Sequence, residues 1–165
     1  ENASSLPACR QSMARNHEVG PDVTIRPADR ADAPSVWRWR NDERTRAMAR
    51  RHDLVSLERV SDWLMEPAAT FIAIKDGTPF GVLKFDEKDG YIWPVINLDP
   101  VRRGQRLSRP FLELGMREMR GRGYSKAFKA TIRIENVASL ALFVSAGFKV
   151  MDNLNGFYFL DHSMK

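Results

Sequence analysis

Cysteine is almost missing from this chain of 165 residues, and Cys9 is the only one. A single thiol excludes an intrachain disulfide and any cysteine-based metal site, so no metal is expected, and a reducing, cytoplasmic setting fits. Long apolar runs are missing as well. No stretch approaches the roughly eighteen consecutive apolar residues that a membrane-spanning helix needs. The first twenty residues hold neither a continuous apolar core nor a basic start of signal-peptide type. Neither secretion nor membrane insertion is expected, and no internal repeat is seen.

What the chain does have is positive charge. Lys and Arg number 26 against 21 Asp and Glu, a formal net charge of +5, with a pI near 9.7. That balance favours an anionic partner: nucleic acid, a membrane surface or a phosphorylated small molecule. Charge alone does not choose among them. The length suits one domain with a real core. Residues 1–20, rich in Ala, Ser, Asn and scattered charge, show no period and read as a linker or disordered tail. Residues 21–165 read as the domain.

Periodicity divides that domain into elements. Val23 to Arg26 alternates as a half-buried strand, closed by Pro27. Asp32 offers a cap to a helix carrying Val36, Trp37 and Trp39, Asp42 caps a short second helix to Met48, and Ser56 caps a third that Pro67 stops. Phe71 to Ile74, Phe80 to Phe85 and Ile92 to Leu98 form a meander turning at Asp76-Gly77 and Asp89-Gly90. Pro94 within its third strand calls for an edge or a bulge. Ser108 caps a helix with Leu112, Met116 and Met119 on one face, ended by Gly121 and Gly123. Ala127 to Ile132 is a strand, and Asn136 opens a helix whose Val137, Leu140, Ala141 and Val144 make an apolar stripe, with Gly147 past its end. Lys149 to Met151 and Phe157 to Leu160 flank Asn155-Gly156. The order is βααα-βββ-α-β-α-ββ, an α/β chain with a mixed sheet.

The organising stretch runs from Ile92 to Met119: an apolar strand, a basic turn containing Gly104, then an amphipathic helix. A helix start presents N–H groups without intrahelical partners and a partial positive charge, so it suits a phosphate. Arg102, Arg103, Arg106 and Arg109 crowd the same turn. The expected guest is polyanionic. Arg103-Gly104-Gln105-Arg106-Leu107-Ser108 resembles the pyrophosphate-binding turn of the GNAT superfamily of acyl-CoA-dependent N-acetyltransferases. Glu135 to Phe148, an Asn opening a helix that closes in Gly-Phe, is similar to that family's second signature.

The resemblance, which covers 22–165, implies the GNAT fold, a mixed and mostly antiparallel sheet of about seven strands flanked by helices. It implies an acyltransferase with acetyl-CoA as co-substrate. The backbone of Ile96, Asn97 and Leu98 would pair with the pantetheine amides, Arg103, Gly104, Gln105, Arg106, Leu107 and Ser108 would wrap the pyrophosphate, and Asn136, Ser139 and Phe143 would line the pantetheine arm. Two positions depart from the family's pattern. Arg106 and Ser108 stand where Gly or Ala is usual, and Phe143 stands where many members carry a Tyr that protonates the leaving thiolate. Phe has no proton to give.

For the base that deprotonates the amine, Glu135 beside Asn136 is the first candidate; its alternative role is a carboxylate favoured by the helix dipole. Asp86 and Glu87, read as lying in the turn before the Ile92 strand, come next, acting through water. His52 after two arginines reads as a surface residue. Val36 to Asp42 with Arg46 and Trp63-Leu64 is similar to two branches of the superfamily, acetyltransferases of nucleotide-linked amino sugars in nonulosonate pathways and acetyltransferases of ribosomal-protein N-termini. Either would use Arg40, Asn41 and Arg46 on the acceptor side; the alternative for Arg40 is an ion pair tying helices to sheet. The favoured reading is transfer to a nucleotide-linked amino sugar by a cytoplasmic monomer or homodimer, with protein N-termini second. A basic nucleic-acid module ranks last, because its stripe of charge with stacking aromatics is replaced here by arginines gathered at one turn.

Overall fold

The computed structural model describes residues 22–163; the tail read at 1–20, Cys9 included, lies outside them. Twelve elements follow in chain order: β1 (Val23–Pro27), α1 (Ala33–Asn41), α2 (Glu43–Met48), α3 (Leu57–Met65), β2 (Ala69–Lys75), β3 (Thr78–Lys88), β4 (Tyr91–Leu98), α4 (Ser108–Gly121), β5 (Phe128–Arg133), α5 (Val137–Ser145), β6 (Lys149–Leu154) and β7 (Phe157–His162). The strands form one sheet in the order β1-β2-β3-β4-β5-β7-β6. Every neighbouring pair is antiparallel except β4 with β5. A mixed, mostly antiparallel seven-stranded sheet flanked by helices is the architecture that the resemblance implies, in the element order that periodicity suggests.

Three two-residue turns hold the hairpins in register. Asp76-Gly77, Asp89-Gly90 and Asn155-Gly156 all take positive φ at both positions, the geometry whose twist matches that of antiparallel strands. The strands outrun the sequence estimate: β3 extends to Lys88, which places Asp86 and Glu87 inside a strand rather than in a turn. Once pairing is available, polar residues at a strand end cost little.

Alternation along β3 divides the core. Leu83 and Phe85 face Phe111, Leu112, Met116 and Met119 of α4, while Val82 faces Val36 and Trp39 of α1 and Val60 and Leu64 of α3. Helix α4 sits close to the sheet because Gly115 leaves room: a Cβ there would lie 2.4 Å from Leu83 and 3.0 Å from Phe85. Helix α5 closes with paired bonds, Phe148 N–H to the Phe143 carbonyl and Gly147 N–H to that of Val144, both 3.0 Å, with Gly147 at φ +96°. This is the Schellman arrangement.

Two local expectations are corrected. Phe143 is the buried residue of α5, whereas Val137 and Val144 of the expected stripe are 69% and 49% exposed; the helix turns a different face inward because Phe143 docks edge-on against Phe148, ring centres 4.9 Å apart. Asp32 makes no cap bond to α1. Its carboxylate instead grips Arg26 through two hydrogen bonds of 2.7 and 2.8 Å and accepts the Asp29 N–H, so a buried acid pins β1 to the start of the helices.

Burial works to raise the Asp32 carboxyl, but the Arg26 hydrogen bonds, the Asp29 N–H and the Arg26 charge outweigh it and hold the carboxyl below its usual range. A depressed folded value stabilises above the unfolded value of about 3.9, and that contribution is lost as pH falls through the folded value. Asp32→Asn is therefore expected to lower stability at pH 7 by about 2 kcal/mol, with the gap to wild type narrowing below about pH 4. Chemical denaturation across pH checks this, and a gap that stays constant into acid contradicts it.

Candidate active site

Strand β4 is paired fully along one side and hardly at all along the other. Toward β3 its register runs unbroken from Gly81↔Leu98 to Lys88↔Tyr91. Toward β5 the one register pair is Ile92↔Phe128, with Ile92 N–H donating to the Ala127 carbonyl at 3.0 Å. Beyond it the strands part. Pro94 stands opposite Phe85 with no register shift, in the stretch where β4 has no β5 partner, so the expected bulge is not needed.

The parting opens into a cavity of about 1220 Å³. Of the residues read from sequence, Ile96, Asn97 and Leu98 line it from β4, Arg103, Gly104 and Ser108 from the basic turn, and Glu135, Asn136, Ser139 and Phe143 from the β5–α5 side. Arg40 of α1 and Arg46 of α2 line it as well. Phe143 belongs to core and cavity at once, being 3% exposed.

The basic turn earns its shape from two left-handed residues, Gly104 at φ +75° and Arg106 at φ +56°. Arg106 adopts there a conformation that glycine takes without penalty and an arginine does not. A Cβ on Gly104 would touch nothing within 4 Å, so its role is conformational. Leu107, 1% exposed, anchors the turn in the core. Leu107 rather than Ser108 is the N-cap of α4, and no side chain caps that end. The first N–H groups of α4 therefore remain available to an anion. Gln105 turns back to donate to the Val101 carbonyl at 3.3 Å, and neither it, Arg106 nor Leu107 lines the cavity.

Arg103 is already engaged. Its guanidinium donates to Asp42 at 2.5 Å and to Thr45 at 2.8 Å, joining the turn to the start of α2. The Arg103 hydrogen bond and the Thr45 N–H hold the Asp42 carboxyl below its usual range. The two motifs, more than fifty residues apart in sequence, thus form one rim.

The α1–α3 part of the lining is arginine-rich. Arg40, Arg44, Arg46, Arg50, Arg51 and Arg59 line it, with Arg133 of β5, and eight arginines in all face three carboxylates, Asp53, Glu66 and Glu135. The segment between α2 and α3 that carries Arg50 and Arg51 is fastened by Asn41, Arg46 and Arg133. Asn41 donates to the Val55 carbonyl and accepts its N–H, both at 2.8 Å. Arg46 reaches the Asn41 and His52 carbonyls, and Arg133 reaches the Ala49 carbonyl at 2.7 Å and His52 Nε2 at 3.0 Å. Asn41, expected on the acceptor side, spends its amide on this clamp and does not line the cavity. Asp86 does not line it either; it lies 3.6 Å from Lys84 Nζ.

Arg40 lays its guanidinium carbon 4.5 Å from the centre of the Trp63 ring. Burial first, then the charge of Arg59, lowers its proton affinity, against the pull of Asp86 and Glu66. An arginine keeps its proton regardless, so the cost stands as a preference for an anionic guest. Sequence reading passed over Trp63 as a wall residue, and passed over Arg59, Glu66 and Lys84. A lysine between Leu83 and Phe85 in an apolar strand was the signal available.

A sequence model described as the acetyltransferase (GNAT) family matches residues 33–148. No curated protein matches the chain in sequence. Among solved structures, a putative acetyltransferase from Salmonella typhimurium with its cofactor acetyl-CoA is similar at 21% identity and TM-score 0.74, over 87% of this chain and 95% of that one. A ribosomal-protein-alanine N-acetyltransferase from Brucella melitensis is similar at 23% and 0.73, over 86% and 99%. An aminoglycoside acetyltransferase in complex with coenzyme A follows at 15% and 0.73, over 86% and 95%. At these identities the likeness concerns the fold.

The clamp on the arginine-bearing segment yields a test. Asn41→Ala removes two hydrogen bonds and leaves the Val55 N–H unpaired, the carbonyl keeping the Trp37 indole N–H at 2.8 Å, so a loss of about 1–3 kcal/mol is expected, with faster proteolysis between Ala49 and Val55. Wild-type melting and cleavage in this variant would remove Asn41 from the clamp.

Proposed function

The chain belongs to the acetyltransferase (GNAT) family, and from that premise we propose that it transfers acetyl from acetyl-CoA directly to the primary amine of a nucleotide-linked amino sugar. The residues present fit acetyl-CoA. The unpaired side of β4 at Ile96, Asn97 and Leu98 offers backbone groups to the pantetheine amides, as in strand addition. The uncapped start of α4 and the left-handed turn at Gly104 and Arg106 offer N–H groups and positive charge to a pyrophosphate. Asn136 has its Oδ1 occupied by the Ser139 N–H at 3.2 Å, which leaves its amide N–H₂ to donate to the pantetheine arm along Phe143. Acetyl-CoA held there supplies a thioester activated toward an amine.

The chain's own work is then to orient the acceptor, to take one proton from its ammonium and to exclude competing water. Glu135, exposed at the mouth of the cavity beside Asn136, is the base in this reading. Asp86 is the second candidate, acting through water. Phe143 contributes shape and dryness and no proton, so the leaving thiolate is protonated from solvent or from the acceptor. No metal enters the reading.

One observation carries the choice of acceptor: α1, α2, α3 and the segment between α2 and α3 bring their own arginines to the cavity, Arg40, Arg44, Arg46, Arg50, Arg51 and Arg59. One polyanion at Arg103 to Ser108 leaves that second cationic group without a guest. A nucleotide-linked sugar brings two phosphates to it, and the planar guanidinium is suited to phosphate oxygens in a way lysine is not.

Thiol release is to be followed with a UDP-linked 4-amino sugar and, separately, with a peptide bearing a free N-terminus. The sugar is expected to be acetylated. Arg40→Lys is expected to weaken sugar binding about tenfold, nearly as much as Arg40→Ala, because a point charge does not replace the fork, while acetyl-CoA affinity stays unchanged. Acetylation of the peptide and not the sugar would transfer the protein to N-terminal acetylation.

A further inference from the structure

Lys84 is wholly buried, at 0% exposure. It stands on the β3 face that carries Val82, under α1 and α3. Taking an ammonium out of water costs several kcal/mol, and here the charge is met by the Trp63 carbonyl at 2.9 Å, by a short contact to Glu66 Oε2 and by Asp86 at 3.6 Å. Nζ also lies 4.6 Å from the centre of the Trp63 ring, the ring that Arg40 approaches at 4.5 Å. A buried ammonium whose carboxylate partners are themselves half exposed is commonly no more stabilising than an apolar side chain of similar volume. Its worth must be sought elsewhere.

Glu66 points to it. Its side chain is 55% exposed and lines the cavity. Lys84 takes Oε2, and Oε1 meets no partner among the described residues. Lys84 pairs in register with Val95, which also lines the cavity, so Glu66 overhangs the section of β4 just before Ile96 to Leu98. In a cavity where arginines outnumber carboxylates eight to three, an approaching ammonium is repelled at most points of the wall. A fixed carboxylate is the foothold it requires.

We propose that Glu66 receives the ammonium of the acceptor, and that Lys84 is the positioning residue that fixes the carboxylate over β4. With Arg40 beside it, the wall then reads an acceptor that carries a primary ammonium close to an anionic group. The inference rests on the acetyl-transfer reading and assigns the acceptor end of that site. No bond is made or broken at Glu66, and proton removal stays with Glu135.

Lys84→Met and Glu66→Gln test it by calorimetry with coenzyme A present. The ligands are the UDP-linked 4-amino sugar, the same sugar with hydroxyl in place of the amine, and a peptide with a free N-terminus. Both variants are expected to weaken the amino sugar about tenfold, to leave the hydroxyl sugar and coenzyme A unchanged, and in Lys84→Met to melt no lower than wild type. Unchanged amine affinity in both variants overturns the role of Glu66 while the acetyl-transfer reading stands. Weakening confined to the peptide, with the sugar unbound, overturns the amino-sugar reading and keeps Glu66. Binding of neither amine by wild type overturns both. A markedly lower melting temperature for Lys84→Met makes Lys84 a stability residue, and Glu66→Gln then decides the carboxylate alone.

Discussion

A strand inside a sheet normally satisfies both of its backbone edges, because a buried unpaired N–H or C=O costs about as much as a lost hydrogen bond. In this molecule β4 meets β5 at a single register pair. Its remaining backbone on that side faces a cavity, where water or a ligand must complete it. The β3 ladder, unbroken over the whole of β4, allows the strand to stand open without collapsing. The basic turn leaves the end of β4 and the β5–α5 junction shares the cavity with it, so the opening brings together Ile96 to Leu98, Gly104, Ser108 and Asn136.

Electrostatics then divides the cavity. Arg103 is tied across the rim to Asp42 and Thr45, a link between the basic turn and the start of α2. Arg133 and Asn41 hold the segment that carries Arg50 and Arg51 at its two ends, Ala49 and Val55. Trp63 sits between two cations, Arg40 and Lys84. Charges of one sign are gathered here at a cost in self-repulsion, which a polyanionic ligand relieves.

Much of this was legible in the chain. Asp76-Gly77, Asp89-Gly90 and Asn155-Gly156 fix three hairpins through backbone conformations that few other residue pairs accept, and Asp42, Ser56 and Asn136 cap the helices that follow them. These signals are local, so they survive without knowledge of the fold. What escaped depends on distant partners. Asp32 looks like a cap until Arg26 is placed beside it, Asn41 looks like a ligand contact until Val55 is folded back onto it, and Val137 and Val144 look like core until Phe143 claims the inward face of α5. Lys84 was hidden for the same reason: its partners Trp63 and Glu66 lie on another element, about twenty residues away.

The central claim is that the gap beside β4 and the turn after it hold acetyl-CoA as one site. Isothermal titration of acetyl-CoA into wild type and Gly104→Val tests it most directly. A Cβ at Gly104 meets nothing within 4 Å, but valine resists the φ of +75° that the turn requires. The account predicts wild-type folding with acetyl-CoA affinity reduced at least tenfold, worth about 1.4 kcal/mol. Equal affinity in the two proteins would place the pyrophosphate elsewhere and contradict the account.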